Sequence, residues 1–185
     1  RNITLRATSA DGSTADTVFA ININDLDEFN TGAVTDSNAT ANSVAENAAN
    51  GTVVNITGLA SDLDATTNTI TYSLDDDASG RFAIDASPGI VTVADGTLLN
   101  YESATSHNII IRATSADTSS STQSFTINLT DVNESGVSAV SDSNGATNTV
   151  LENSANGTTV GLTGLATDAD GADIVSYSLD DDAGG

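Results

Sequence analysis

The chain has 185 residues, 38% of them hydrophobic and 4% aromatic, enough for one or two domains but with few large side chains for a core. Twenty-six acidic residues against four arginines and no lysine give a net charge of −22, which argues against nucleic-acid or anionic-membrane binding and favours cations. Cysteine is absent, which excludes disulfides, zinc-thiolate sites and thiol chemistry, and no apolar run approaches the roughly 20 residues of a membrane span.

From the N-terminus, RATSAD at residues 6–11 leads into VFAININD, where Phe19, Ile21 and Ile23 recur at every second position and are expected to share one inward strand face. Seven short strands are then predicted near 40–46, 52–60, 69–74, 81–85, 90–94, 107–115 and 122–131. Ile70, Tyr72 and Leu74 alternate in the third, Ile109 and Ile111 in the sixth, and Phe125, Ile127 and Leu129 in the seventh. Turn residues such as SPG and ADG separate them. This regular alternation argues against disorder, the other outcome of low hydrophobicity and high charge.

RATSAD returns at residues 112–117, an offset of 106 residues. At the same offset NGT at 50 recurs at 156, VAEN at 44 as VLEN at 150, and TGLASDLD at 57 as TGLATDAD at 163. Only the loop after the paired aspartates is one residue shorter, so that Tyr72 matches Tyr177. Differences between copies separate inside from outside: Val54 and Ile56 become Val160 and Leu162, whereas Val53 becomes Thr159. A period this long indicates tandem domains rather than a solenoid. The expected boundaries are the end of one unit at 1–31, a complete unit at 32–134 and the first part of a third at 135–185. Opening and closing in mid-unit, the chain is expected to be a segment of something longer. Seven short strands per unit, without helix-period segments, predict an all-β fold of tandem immunoglobulin-like Greek-key sandwiches.

The acids gather at strand ends and between units. The junctions INDLDEF (23–29) and LTDVNES (129–135) offer Asp25, Asp27 and Glu28, then Asp131, Asn133 and Glu134. Each unit adds an early glutamate (Glu46, Glu152) and a D-x-D pair after its second strand (Asp62 and Asp64, Asp168 and Asp170), and the middle unit also shows Glu102 in NYES. Oxygen ligands without His or Cys suit calcium, which takes six to eight of them in flexible geometry. The alternative is a solvated surface. It is the better account of the Asp75, Asp76, Asp77 turn, but a poorer one at a boundary, where clustered carboxylates repel unless a cation lies among them. An EF-hand is excluded, since DLDATTN and DADGADI lack its Gly at position 6.

In order and spacing, AENAANGTVV, ASDLDATTNTITYSL, GRFAIDASPGIVTV, LLNYESA and DVNE resemble the cadherin repeat, particularly the cadherin-like repeats of very large bacterial surface adhesins. The resemblance covers the whole chain. It implies calcium between successive domains, held by the early Glu and the Tyr-Glu of one repeat, the linker acids, and the D-x-D of the next. Carried over, the second junction would use Glu46 and Glu102, then Asp131, Asn133 and Glu134, then Asp168 and Asp170. The first would use Asp25, Asp27, Glu28, Asp62 and Asp64, with Asn68 offering a backbone carbonyl, and would be half-built because its upstream glutamates precede Arg1. Ser115 or Asp117 could supply a further ligand, and Asp117 is carried forward. The chain departs from the family in having Ala45 where proline is usual and in lacking the terminal Asn-x-Pro of the linker.

Signatures of catalysis are not found: there is no G-x-S-x-G and no phosphate-cradling glycine loop followed by lysine. His107, the single histidine, is matched by Arg1 one unit earlier and is expected to mark an exposed strand start rather than a catalyst. The resemblance implies a calcium-stiffened extracellular stalk of a bacterial adhesin or surface fibre, acting in cell adhesion and not an enzyme, with neighbouring repeats as partners. Two alternatives stand beside it. One is a module gripping carbohydrate or a like repeat, which would need an exposed aromatic platform although Tyr72 and the phenylalanines are expected to be buried. The other is a filament subunit joined to like chains by strand complementation.

Overall fold

The computed structural model describes residues 1–185 except 25, 65, 171, 172, 184 and 185. β1 (Asn2–Thr8) and β2 (Thr14–Ala20) form an antiparallel hairpin. A two-sheet sandwich follows, built from β3 (Thr35–Asp36), β4 (Ser43–Ala45), β5 (Val53–Leu59), β6 (Ile70–Asp76), β7 (Phe82–Ile84), β8 (Ile90–Val93), β9 (Ser106–Ser115) and β10 (Ser120–Thr130). One sheet has the order β4-β10-β9-β6 and the other β3-β5-β8-β7. β11 (Ser141–Asp142) and β12 (Gly164–Leu165) then pair in the register that β3 and β5 use one unit earlier. The fold is all-β, as the alternation requires.

Each of the seven predicted strands is present, but the first is shorter than expected. It covers only residues 43–45, and a two-residue strand precedes it in the opposite sheet. The chain changes sheets between them because local side chains capture the backbone. Ser37 still donates its amide to the Thr57 carbonyl at 2.9 Å, but Asp36 accepts from the Asn38 amide at 2.9 Å and Asn38 accepts from Thr40 at 3.0 Å, which turns the chain away from β5.

The inward positions close one core: Val54, Ile56, Phe82, Val91, Ile109, Ile111 and Ile127 are all buried. Burial of each such side chain stabilises the fold by about 1.5–3 kcal/mol. Val53, lost to threonine in the next copy, is exposed. Tyr72 is half-buried, and its hydroxyl accepts from the Ala60 amide at 3.0 Å.

The structure corrects several expectations. Phe19, Ile21 and Ile23 are exposed, as are Val160 and Leu162, because no second sheet packs on them among the described residues. Phe29 is exposed too, so only part of the phenylalanine set is buried. The aspartate triple is a built turn: Asp75 makes an ion pair with Arg112, while Asp76 and Asp77 accept from the amides of Ala78 and Gly80. His107 is half-buried, its ring centroid 6.3 Å from that of Phe82, and its Nε2 is buried with no hydrogen-bond partner. His107 has the inward parity of Ile109 and Ile111, so β9 carries it toward the core two residues before Ile109.

A single turn of 3₁₀ helix, Gly96–Leu98, capped by Asp95, packs against the loop after β4. There a Cβ on Gly96 would lie 1.9 Å from the Ala48 carbonyl oxygen. Gly96→Ala is therefore expected to lower stability by about 1–3 kcal/mol through overpacking, visible as a reduced denaturation midpoint. Burial, and then the charge of Arg81, lower the His107 pKa. The unfolded chain then binds the proton more readily, so this contribution to stability is present above the ordinary His pKa of about 6.5 and is lost as pH falls below it. His107→Leu should flatten that part of the curve between about pH 7 and 5, measured by denaturant unfolding at each pH.

Candidate metal centre

The two ends of the sandwich collect the acids, and strand register explains how. β4 runs parallel to the last turn of β10, pairing Leu129 with Val44 and Thr130 with Ala45. Glu46 is thereby delivered to the point where the chain leaves β10 for the linker. Its carboxylate is 1% exposed and accepts two backbone amides, Tyr101 at 2.7 Å through Oε2 and Val132 at 2.9 Å through Oε1. One side chain thus holds both the loop bearing Glu102 and the linker. Glu46, Glu102 and Glu134 each place a carboxylate oxygen within 4.8 Å of the others, and Glu134 also accepts from the Asn47 amide side chain.

Across the linker, Asp168, Asp170 and Asp173 form a second group within the same span. Asp170, 3% exposed, accepts from the amides of Glu134 at 3.1 Å and Ser135 at 2.8 Å. Asn133 donates to Asp173 at 2.6 Å. Asp131 lies between the groups: withdrawal from water raises its pKa, and the charges of Glu102, Glu46, Asp170 and Asp173 raise it further. Desolvation followed by Glu46, Glu102 and Asp170 does the same to Glu134. Negative charge is therefore concentrated here beyond what the protein's own hydrogen bonds relieve.

At the opposite end, Asp27 of the first linker, Asp64 after β5 and Asp117 in the β9–β10 turn bring their carboxylates within 4.8 Å of one another. Oxygens about 2.4 Å from a shared calcium ion would be separated by no more than this. Asp62 stands beside them, held below its ordinary pKa by the Ser115 hydroxyl and then the Asp64 amide, while Asp27 is raised by desolvation, by its contact with Asp64 and by the charges of Asp117, Asp64 and Asp62. Asp62 and Asp64 are 9% and 3% exposed, yet Oδ2 of each, and of Asp117, is buried with no hydrogen-bond partner. Orphaned buried carboxylate oxygens are costly, and an all-oxygen donor set suits a hard cation.

Most residues expected from the sequence are brought together. Of the Ser115 and Asp117 alternatives, Asp117 enters the group, while Ser115 donates to the Thr67 carbonyl at 2.8 Å. The Asn68 side chain secures the D-x-D loop by donating to the Asp64 carbonyl at 2.8 Å. Glu28 engages through its backbone, its amide donating to Asp64 at 3.2 Å, while its exposed carboxylate stands outside the three-residue groups found among the described residues. Asp25 lies outside the described residues. Asp173 was not foreseen. The offset that aligns Tyr72 with Tyr177 aligns it with Asn68, and that alignment was the signal.

The family model described as the cadherin domain matches residues 40–130. Among solved structures, mouse cadherin-23 EC22-24 is 26% identical with a TM-score of 0.62, covering 90% of this chain and 53% of that one. The protocadherin gammaB4 extracellular domain is 22% identical with a TM-score of 0.59, covering 91% of this chain and 26% of that one. A protocadherin gammaB7 EC3-6 cis-dimer structure is 20% identical with a TM-score of 0.62, covering 91% and 42%. The chain thus spans about half the length of the cadherin-23 structure and less of the others. No curated protein matches it. Among the described residues no helix is long and apolar enough to cross a membrane.

Glu46→Ala would leave the Tyr101 and Val132 amides without acceptors, at an expected cost of about 1–3 kcal/mol even in chelator, measured by denaturant unfolding. Glu46→Gln, which keeps an acceptor oxygen, should recover part of that loss. The structure has a cadherin-like β-sandwich fold, and its central unit, residues 40–130, matches the cadherin domain.

Proposed function

We propose that this chain is part of an extracellular stalk of tandem cadherin-like repeats, stiffened by calcium, from a bacterial adhesin or surface fibre acting in cell adhesion. The observation that carries this is the set of orphaned buried oxygens on Asp62, Asp64 and Asp117 beside Asp27, at the seam between a linker and the sandwich after it. Asp27, Asp62, Asp64 and Asp117 would hold one ion-binding region. Glu46, Glu102, Asp131, Asn133, Glu134, Asp168, Asp170 and Asp173 would hold the other, with Asn68 positioning the first D-x-D loop and Glu28 docking its linker. A bound divalent cation supplies positive charge that cancels carboxylate repulsion.

The protein's own residues supply the rest of the mechanism. The Glu46 carboxylate fixes the exit of β10, and the Asp64 and Asp170 carboxylates fix the linker to the next unit. Without charge compensation, Asp131 and Glu134 face like charges from both sides, and their repulsion favours an open joint. Extracellular modules of this kind bind calcium with Kd on the order of 10⁻⁴ to 10⁻³ M, which matches fluids outside cells and not cytosol. The stalk would therefore stiffen after export.

Small-angle scattering of the chain in millimolar calcium and in chelator tests this. The maximum dimension is expected to be larger and the distribution narrower with calcium, and Asp170→Asn should move the calcium profile toward that in chelator. Identical profiles in calcium and chelator would defeat the stiffening mechanism.

A further inference from the structure

The hydrogen bonds of the two linkers are distributed unevenly between the units they join. In the second junction the preceding sandwich reaches as far as Val132, whose amide donates to Glu46 at 2.9 Å. From Glu134 onward the backbone bonds of the linker go, among the described residues, to the following unit: Glu134 and Ser135 to Asp170, and Ser138 to the Thr167 carbonyl at 2.8 Å. The first junction repeats the attachments to the following unit at an offset of 106 residues. Glu28 and Phe29 donate to Asp64 at 3.2 and 3.3 Å, and Gly32 donates to the Ser61 carbonyl at 2.8 Å.

The first junction also carries attachments from the β9–β10 turn and the start of β10 of the following sandwich. The Thr31 amide donates to the Ser119 hydroxyl at 2.8 Å, the Thr31 hydroxyl donates to the Ser119 carbonyl at 2.9 Å, and the Ser121 hydroxyl donates to the Gly32 carbonyl at 2.6 Å. Thr31 is buried. None of these bonds involves an ion.

We infer that each linker is a fixed part of the unit that follows it, and that the second joint turns at Asn133, the one residue whose backbone lies between the two sets of attachments there. Rotation about the backbone at Asn133 swings the preceding sandwich, up to Val132, against a body that begins at Glu134. Glu134 spans this pivot, its amide on Asp170 of the following unit and its carboxylate among Glu46, Glu102 and Asn47 of the preceding one. The placement of the pivot stands on the hydrogen bonds. Only what stops the rotation rests on the calcium reading.

Amide-resolved hydrogen exchange on the full chain in chelator locates the pivot. The amides of Glu134, Ser135 and Ser138, and of Phe29 and Gly32, are expected to keep protection within about tenfold of their values in calcium. Exchange of these amides at free-peptide rates in chelator would overturn the inference. Because the chain has no cysteine, Ser124→Cys with Thr158→Cys admits a single pair of spin labels across the second junction. In chelator, adding Asn133→Pro should narrow the distance distribution between the labels, and an unchanged width would also overturn the inference. The two readings fail separately: equal label distributions for the parent pair with and without calcium would sink the stiffening, whereas the exchange pattern in chelator judges the pivot alone.

Discussion

Carboxylates gathered at the ends of a thin β-sandwich repel one another, and the rest of the structure is arranged around that repulsion. The protein's hydrogen bonds satisfy some of these oxygens and leave others without partners. Glu46 is the satisfied extreme, buried and accepting a backbone amide on each of its oxygens. Asp62 and Asp64 each leave an oxygen buried with nothing to accept from, and Asp27, Asp131 and Glu134 hold their protons more tightly than ordinary carboxyls because of desolvation and of the carboxylates around them. Buried carboxylate oxygens without partners lower stability unless a compensating charge accompanies them.

The sandwich contributes precision. The parallel pairing of β4 with β10 sets Glu46 against the linker, and the β9–β10 turn carries Asp117 and Ser119 to the other end, where one contributes a carboxylate and the other binds Thr31. One pair of long strands therefore connects the two acidic ends through a core of isoleucines and valines. Compact packing beneath the sites keeps the oxygens within a few ångströms of one another despite their charge.

Much of this was legible in the chain. The 106-residue offset and the period-two alternation located seven strands and their inward residues, since a half-buried strand must alternate. The junction acids were legible as clusters because their spacing repeats between copies. The sheet change between β3 and β4 was not, because a two-residue strand has no periodicity and the turn that creates it depends on Asp36 and Asn38 capturing nearby amides. Nor could sequence choose between Ser115 and Asp117, which differ by one full strand period and so face the same side; only the course of the turn after Ser115 separates them. The half-burial of His107 follows the parity of Ile109 and Ile111, a signal that the exchange with Arg1 outweighed in the sequence reading, and only its contact with Phe82 on another strand had no local signature.

The central claim is that these oxygens are a binding site and not merely an acidic surface. Calorimetric titration of calcium into the metal-free chain addresses it most directly. The account predicts saturable binding with Kd on the order of 10⁻⁴ to 10⁻³ M, with the component belonging to the first junction lost in Asp64→Asn. Heats that never saturate and are the same in Asp64→Asn would show the carboxylates acting only as a diffuse counter-ion atmosphere, contrary to the account.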